Sequence, residues 1–484
     1  MSEQVITTSE DLEKRKKQDL LIYPVSNIAG GIFKAYFSTY VASLNTQVYL
    51  LPITVSAVLE SASQIVQWIG APVMGTVYDR FSLGKKAKFW PWWTIAGAGM
   101  GICYILYFSI PVMVSNPQSF IAVAVCMNLI ASWMAISADH LGNTLYTQIA
   151  TDAKTRASQS MWSKVTRDGM KLVVGYIFPL MMVSFEKTMP KANTWALIAV
   201  ILAVPAIIIY IVSSGITKNS LPEQKFRQGV LNAVAKKKSG SLATTLKGIA
   251  TNRPLLIMFV ALSVSKIYYF FNVVGAQFFW RYYMEDFAAL ANFNLIFNLA
   301  IIVGAMAAPA LMKVFKDSKL ACVVCFFAQT LFYGLGYAMI NTENQMMATL
   351  LLAGGGFFNG LTDTYIVPMF AAAADFNVWK TGNKDYGLAM AVYSLSVRVG
   401  GILSTNGRAA IMAGGGFDSA ALAAGAAVPA TLKTALKNMQ TLYPMIMSAA
   451  IGLIIMLFYP LTDKKAAEYR AEIAAREEAA VKAE

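Results

Sequence analysis

Four cations, Lys34, Lys164, Lys266 and Arg398, and three acids, Glu60, Asp139 and Asp363, fall inside stretches of this chain that are otherwise apolar. At the depth of a lipid bilayer each such charge costs roughly 2.5–3.5 kcal/mol on insertion scales. It therefore turns toward a partner, a cavity or a water-filled path, and marks where solutes or ions pass. If cations outnumber acids within a cavity, the natural counter-ion is an anionic solute, such as a hexuronide, a sugar acid or another organic carboxylate or sulfonate. If Lys34 pairs with Glu60 and Lys266 with Asp363, the cavity is neutral and a plain glycoside suits it equally well.

Several of these charges have polar neighbours at helical spacing. Glu60 is followed by Gln64 and Gln67 on one face, a stripe able to carry a proton or a cation. Asp139 shares a face with Asn143, and the chain's one histidine, His140, is next to it. A buried carboxylate beside an imidazole can exchange a proton near neutral pH. The competing structural reading is a fixed ion pair of Asp139 with Lys164 or Arg398. In SKIYYFFNVVGAQFFW, Lys266, Tyr269 and Asn272 recur at steps of three, placing a ring face and an amide beside a charge, as sugar sites do. Asn359 and Asp363 share a face of a later stretch, where Gly354–Gly356 and Pro368 permit bending.

The elements that must position these groups are long helices. The 484 residues are 57% hydrophobic and only 14% charged, against about 25% charged in soluble domains, which indicates an integral membrane protein. Apolar runs long enough to span ~30 Å of hydrocarbon recur at 20–44, 50–78, 89–112, 118–147, 158–184, 193–214, 254–280, 287–314, 319–340, 345–372, 387–412 and 440–460. Lysine and arginine crowd alternate connections, the positive-inside pattern, which puts both termini in the cytoplasm. The net charge of +14 is thus topological and indicates no nucleic-acid partner. No cleavable leader is expected, the first span serving as its own insertion signal. Cys103, Cys126, Cys322 and Cys325 lie in apolar runs and read as packing residues. No zinc, Walker or nucleophile-elbow motif occurs, so neither a metal, a cofactor nor catalysis is expected.

The organisation follows from a Lys/Ser/Gly-rich connection. Residues 1–19 form a cytoplasmic segment, 20–214 a six-helix half, 215–253 a central loop, 254–461 a second six-helix half and 462–484 a cytoplasmic tail, a solvated helix or disordered. Lys34 and Lys266 lie in the first span of each half, and Asp139 and Asp363 in the fourth, which suggests a parallel internal repeat with a site between the halves.

Three motifs carry a family resemblance. They are PVMGTVYDRFSLGKKAKFWPWW, the segments around Asp139 and TDAKTRASQSMWSK, and DFNVWKTGNKDYGLAMAVYSLSVRVGG from Asp375 to Gly401. Together they resemble the glycoside–pentoside–hexuronide:cation symporters, the melibiose-permease-like branch of the major facilitator superfamily. The likeness covers essentially the whole chain. It implies an all-α major facilitator fold of twelve transmembrane helices in two six-helix halves. It also implies a gating loop at Gly75, Asp79 and Arg80, a span-four cation-site position at Asp139, a sugar-contacting position at Lys164 and a basic span-eleven position at Arg398. The chain departs from the pattern where the family has its paired span-two carboxylates, which here are Gln67 and Ala71. It also has Asn27, Gly31 and Lys34 near the family's span-one carboxylate. A sodium ion needs several hard oxygen ligands, so sodium coupling is not expected.

The expectation is a monomeric multi-pass transporter of the inner or plasma membrane, working by alternating access on a small polar solute: a glycoside, hexuronide or sugar acid. Substrate would meet Asp139, Lys164, Arg398, Lys34, Lys266, Asn143, Tyr269 and Asp363. Coupling would run on protons through Glu60, Asp139 or His140. An organic-anion carrier or uncoupled uniporter is the alternative, and a non-transporting membrane sensor a remote one.

Overall fold

The computed structural model describes residues 9–80, 87, 89–114, 117–149, 153–227, 252–382 and 386–483. Gly75 and the side chains of Asp79, Arg80, His140, Asn143 and Lys164 lie outside the described residues, as do 228–251 of the central loop. The described chain is helical throughout, with no strand, and divides into two compact units, Met1–Lys237 and Lys238–Glu484. Eight of its helices are long and apolar enough to cross a membrane.

The first unit contains α1 (Ser9–Asp19), α2 (Ile22–Phe33), a π-turn (Lys34–Ser38), α3 (Thr39–Gln47), α4 (Ile53–Arg80), α5 (Trp90–Met113), α6 (Ile121–Ile149), α7 (Ala153–Glu186), α8 (Lys191–Lys218) and α9 (Leu221–Arg227). The second contains α10 (Arg253–Val274), α11 (Ala276–Phe278), a π-turn (Phe279–Tyr283), α12 (Ala289–Phe315), α13 (Ser318–Met339), α14 (Gln345–Thr381), α15 (Tyr386–Gly414), α16 (Ser419–Ala423), α17 (Ala430–Gln440), α18 (Leu442–Phe458) and α19 (Asp463–Ala483). The sequence places residues 45–49 in a loop, but α3 carries helix through Gln47, because Asn45 and Thr46 find partners within the bundle.

Both units pack by one scheme. In the first, α2 contacts α7 and α8, α5 contacts α6 and α8, and α4 contacts α6. In the second, α10 contacts α15 and α18, α13 contacts α14 and α18, and α12 contacts α14. With the span-forming helices numbered in order within each unit, the pairings coincide, as expected of a parallel repeat. Without a hydrophobic drive between helices in lipid, close approach depends on small residues. A Cβ on Gly304 of α12 would meet the Phe357 carbonyl of α14 at 2.0 Å, and one on Gly360 of α14 would meet the Ile301 carbonyl of α12 at 2.0 Å. These two helices therefore touch backbone to backbone. Side chains such as Val58, Ile102, Met306, Leu331 and Leu457 remain exposed, an apolar exterior suited to lipid.

Terminal helices grip one end of each unit. Arg15 of α1 pairs with Asp19 at 3.0 Å and donates to the Ile216 carbonyl at 2.7 Å, while Asp19 accepts from the Leu221 amide at 2.7 Å. The tail, expected to be a solvated helix or disordered, is a helix, and several of its side chains dock on the unit. Asp463 accepts from the amide and hydroxyl of Ser318, at 2.9 and 2.8 Å, and caps α13. Further along α19, Arg470 pairs with Asp375 at 3.2 Å, and Glu472 accepts from the Trp379 indole at 2.6 Å. Tyr469 packs on that indole with ring centroids 4.6 Å apart.

Candidate substrate and coupling sites

The second unit holds a closed charge pair. Lys266 of α10 donates to both carboxylate oxygens of Asp363 on α14, each at 2.7 Å. The lysine side chain is 8% exposed and the aspartate 33%, so the ammonium is withdrawn and the carboxylate faces open space. Two features hold the lysine there. Its ammonium lies 4.9 Å from the Tyr269 ring centroid, within cation–π range. Gly400 of α15 brings backbone against its stem, since a Cβ there would meet the Lys266 Cβ at 2.7 Å. Behind the pair is a buried polar layer. The Tyr268 hydroxyl donates to Gln329 at 2.6 Å, the Gln329 amide reaches Thr362 at 3.5 Å, and the Thr362 hydroxyl donates to the Asn359 carbonyl at 3.0 Å. The Asn359 side chain, 1% exposed, has neither amide atom paired among the described residues.

The corresponding acid of the first unit is arranged differently. Asp139 of α6 lines a cavity of about 60 Å³ with Tyr23 and Asn27 of α2, Trp93 of α5, Arg167 of α7 and Tyr210 of α8. That is room for a few waters. Gly142 keeps the cavity open, because a Cβ there would press on Tyr23 and Trp93 at 3.3 and 3.4 Å. Asp168, the neighbour of Arg167, is already bound to Lys171 at 2.7 Å. Arg167 is thus the cation that shares the cavity with Asp139.

The remaining expected residues are spread through the two units. Lys34 stands exposed at the start of the first π-turn, and Glu60 is half-buried on α4, accepting from the Ser56 hydroxyl at 3.2 Å. Gln64 and Gln67 follow Glu60, also half-buried. Arg398 is half-buried on α15. The structure brings Lys266, Asp363 and Tyr269 together. Asn272, expected beside them, instead donates to Tyr333 at 3.1 Å and is fully buried. Sequence spacing did not single out Arg167, Trp93, Tyr23 and Tyr210 as partners of Asp139. They come from four other helices, and spacing along one helix does not tell which helices are neighbours.

A helical bundle with paired charges and polar cavities inside its units is the interior of a polytopic solute carrier, and its fold is that of the major facilitators. A D-xylose–proton symporter superposes with a TM-score of 0.64 at 13% identity, covering 92% of this chain and 98% of that one. The nucleoside transporter NupG gives 0.63 at 12% identity, over 92% and 99%. The chain belongs to the MFS/sugar transport protein family, whose profile matches residues 22–463. It is therefore a membrane-embedded transporter and not an enzyme. Its relatives include the isoprimeverose transporter of Lactiplantibacillus pentosus, 23% identical over 409 residues, or 82% of this chain and 80% of the relative. The uncharacterized symporter YjmB of Bacillus subtilis (strain 168) is 22% identical over 477 residues, 95% of this chain and 96% of the relative.

Proposed function

We propose that this chain is a proton-coupled sugar symporter that takes neutral glycosides in preference to hexuronides or sugar acids. In this reading it works by alternating access between two six-helix halves, twelve spans in all, in the plasma membrane with both termini cytoplasmic. The observation that carries the substrate class is the Lys266–Asp363 pair. Its outward member is the carboxylate, which accepts hydrogen bonds from hydroxyls and repels a second carboxylate, while its ammonium is already neutralised. The Tyr269 ring beside it offers a face for a sugar ring. The isoprimeverose-transporting relative supports the same class. Coupling is assigned to protons because Gln67 and Ala71 stand where the resembled family has paired carboxylates. Asp139, ionisable and sharing a small polar cavity with Arg167, is one candidate carrier.

Uptake into proteoliposomes tests this. An inward proton gradient is expected to accumulate lactose or isoprimeverose and leave a glucuronide outside. Asp139→Asn is expected to abolish accumulation while substrate exchange continues. Accumulation of the glucuronide alone refutes the substrate class, and accumulation driven by a sodium gradient without a proton gradient refutes the coupling ion.

A further inference from the structure

A second feature of the first unit lies at the end remote from α1. It is a hydrogen-bonded chain that crosses three helices and ends on Glu60. The Tyr107 hydroxyl of α5 donates to the Asn45 side-chain oxygen of α3. The Asn45 amide donates to the Ser56 hydroxyl of α4 at 3.0 Å, and that hydroxyl donates to Glu60 Oε1 at 3.2 Å. Ser56, Asn45 and Tyr107 are 0, 1 and 2% exposed, whereas Glu60 is half-buried. The Tyr49 hydroxyl donates to the Tyr107 carbonyl at 2.7 Å and pins the far end.

All three donors point one way, toward the carboxylate. Aligned hydrogen bonds in a low-dielectric interior reinforce one another, and the last one is charge-assisted when Glu60 is ionised. The asparagine amide does not pass a proton along, so the chain orients and polarises but does not conduct. Glu60 is half-buried, so protons can reach it from water. The charged and titratable groups on the elements around it are few. α3 and α5 carry no lysine, arginine or carboxylate. The phenols of Tyr40, Tyr49, Tyr104 and Tyr107 and the thiol of Cys103 remain, with Cys126, the distant Asp139, His140 and Tyr146 on α6 and Lys34 ahead of α3.

We propose that Glu60 is a proton-accepting residue of the coupling machinery and that Ser56, Asn45 and Tyr107 are positioning residues that favour its ionised form. This rests on the proton-coupled reading above. When Glu60 takes a proton, the terminal contact falls from a charge-assisted to a neutral hydrogen bond, so the chain works to reset the acceptor after each delivery. Nothing is oxidised or reduced; the proton moves from water to a carboxylate oxygen and back.

The test uses the full chain in proteoliposomes, with proton-driven accumulation and substrate exchange measured side by side. Glu60→Gln is expected to lose accumulation and keep exchange, and Glu60→Asp to recover part of it. Ser56→Ala is expected to displace the half-saturating proton concentration by roughly three- to tenfold, the difference between a hydrogen bond to a charged group and one to a neutral group, and Tyr107→Phe by less. Ser63→Ala is the control. Ser63 lies on the same helix and accepts from Asn128 at 3.0 Å, outside the chain, so its loss is expected to lower stability without moving the proton dependence. Normal accumulation by Glu60→Gln overturns the proposal and leaves the symporter reading standing. Equal displacement by Ser63→Ala and Ser56→Ala overturns the positioning role. A wild-type protein indifferent to the proton gradient overturns both readings together.

Discussion

In Lys238–Glu484 the lysine of the first long helix and the aspartate of the fourth close on each other, bidentate, at 2.7 Å. In Met1–Lys237 the counterparts, Lys34 and Asp139, stand on helices that pack by the same scheme, yet Lys34 is exposed at a π-turn and Asp139 lines a cavity with Asn27 and Arg167. Identical helix pairing thus supports opposite uses of charge. A closed pair fixes two helices and presents a single sign outward. A carboxylate that lines a small polar cavity stays open to what enters it. In the proposed reading, the difference gives substrate selection to the second unit and coupling to the first.

The largest expected effect comes from unbalancing the closed pair. Asp363→Asn leaves Lys266 buried without a counter-charge, which is expected to destabilise the protein by about 3–5 kcal/mol. Lys266→Met leaves a carboxylate with water on one side and is expected to do less damage. The double variant should recover most of the loss. Thermal unfolding in detergent reads all three, and equal losses for the two single variants would mean that the exposures of the partners do not govern the pair.

A smaller effect is expected at the docked tail. Trp379→Ala removes the ring contact with Tyr469 and the hydrogen bond to Glu472, together about 1–2 kcal/mol of docking energy. Limited proteolysis should then cut α19 faster while the spans stay intact; an unchanged rate would leave Asp463 and Arg470 as the contacts that hold the helix.

The smallest effect belongs to the matching end of the first unit. Burial holds the Asp19 carboxyl at about 6, against the opposing pull of the Leu221 amide and Arg15. A carboxyl raised on folding binds its proton more tightly in the native state. Its favourable contribution is therefore full below pH 4 or so and lost as pH rises through about 6. The unfolding temperature of the wild type should accordingly fall between pH 5 and pH 7.5 by more than that of Asp19→Asn. Parallel behaviour of the two proteins would remove Asp19 as the source.

The long helices were legible because a bilayer-spanning run of apolar residues has few other meanings. Four of the twelve runs nevertheless fall outside the eight helices that pass on length and hydropathy, for physical reasons. The first mixes Asn27, Lys34, Tyr36, Ser38, Thr39 and Tyr40 among its apolar residues. α4, α14 and α15 carry polar and charged residues among the apolar ones: Glu60 with its glutamines, Asn359 with Asp363, and Arg398 with Arg408. Lys266, Tyr269 and Asp363 were found because two of them share one helix and all three are conspicuous in apolar surroundings. Asn45 was missed because it sits where the apolar run ends, which reads as loop. Arg167 was not singled out, since sequence alone does not say that α7 brings it to the cavity of Asp139. The helix of the tail was among the readings of its sequence, but its docking was not, because alternating charges look solvated although Asp463, Arg470 and Glu472 meet α13 and α14.

The π-turn at Lys34–Ser38 has a geometric consequence for the chain that ends on Glu60. A π-turn is an α-helix with one residue inserted, and here the Thr39 hydroxyl satisfies the Lys34 carbonyl at 3.0 Å. One extra residue turns everything after it by about 100° around the helix axis. The two ends of this span therefore keep different angular registers. Tyr23 and Asn27, before the insertion, are aimed at the cavity of Asp139, and Asn45, after it, is aimed at Tyr107 and Ser56. Deleting one residue from the turn would leave the first contact set in place and swing the second away, so a single inserted residue lets one helix serve two sites.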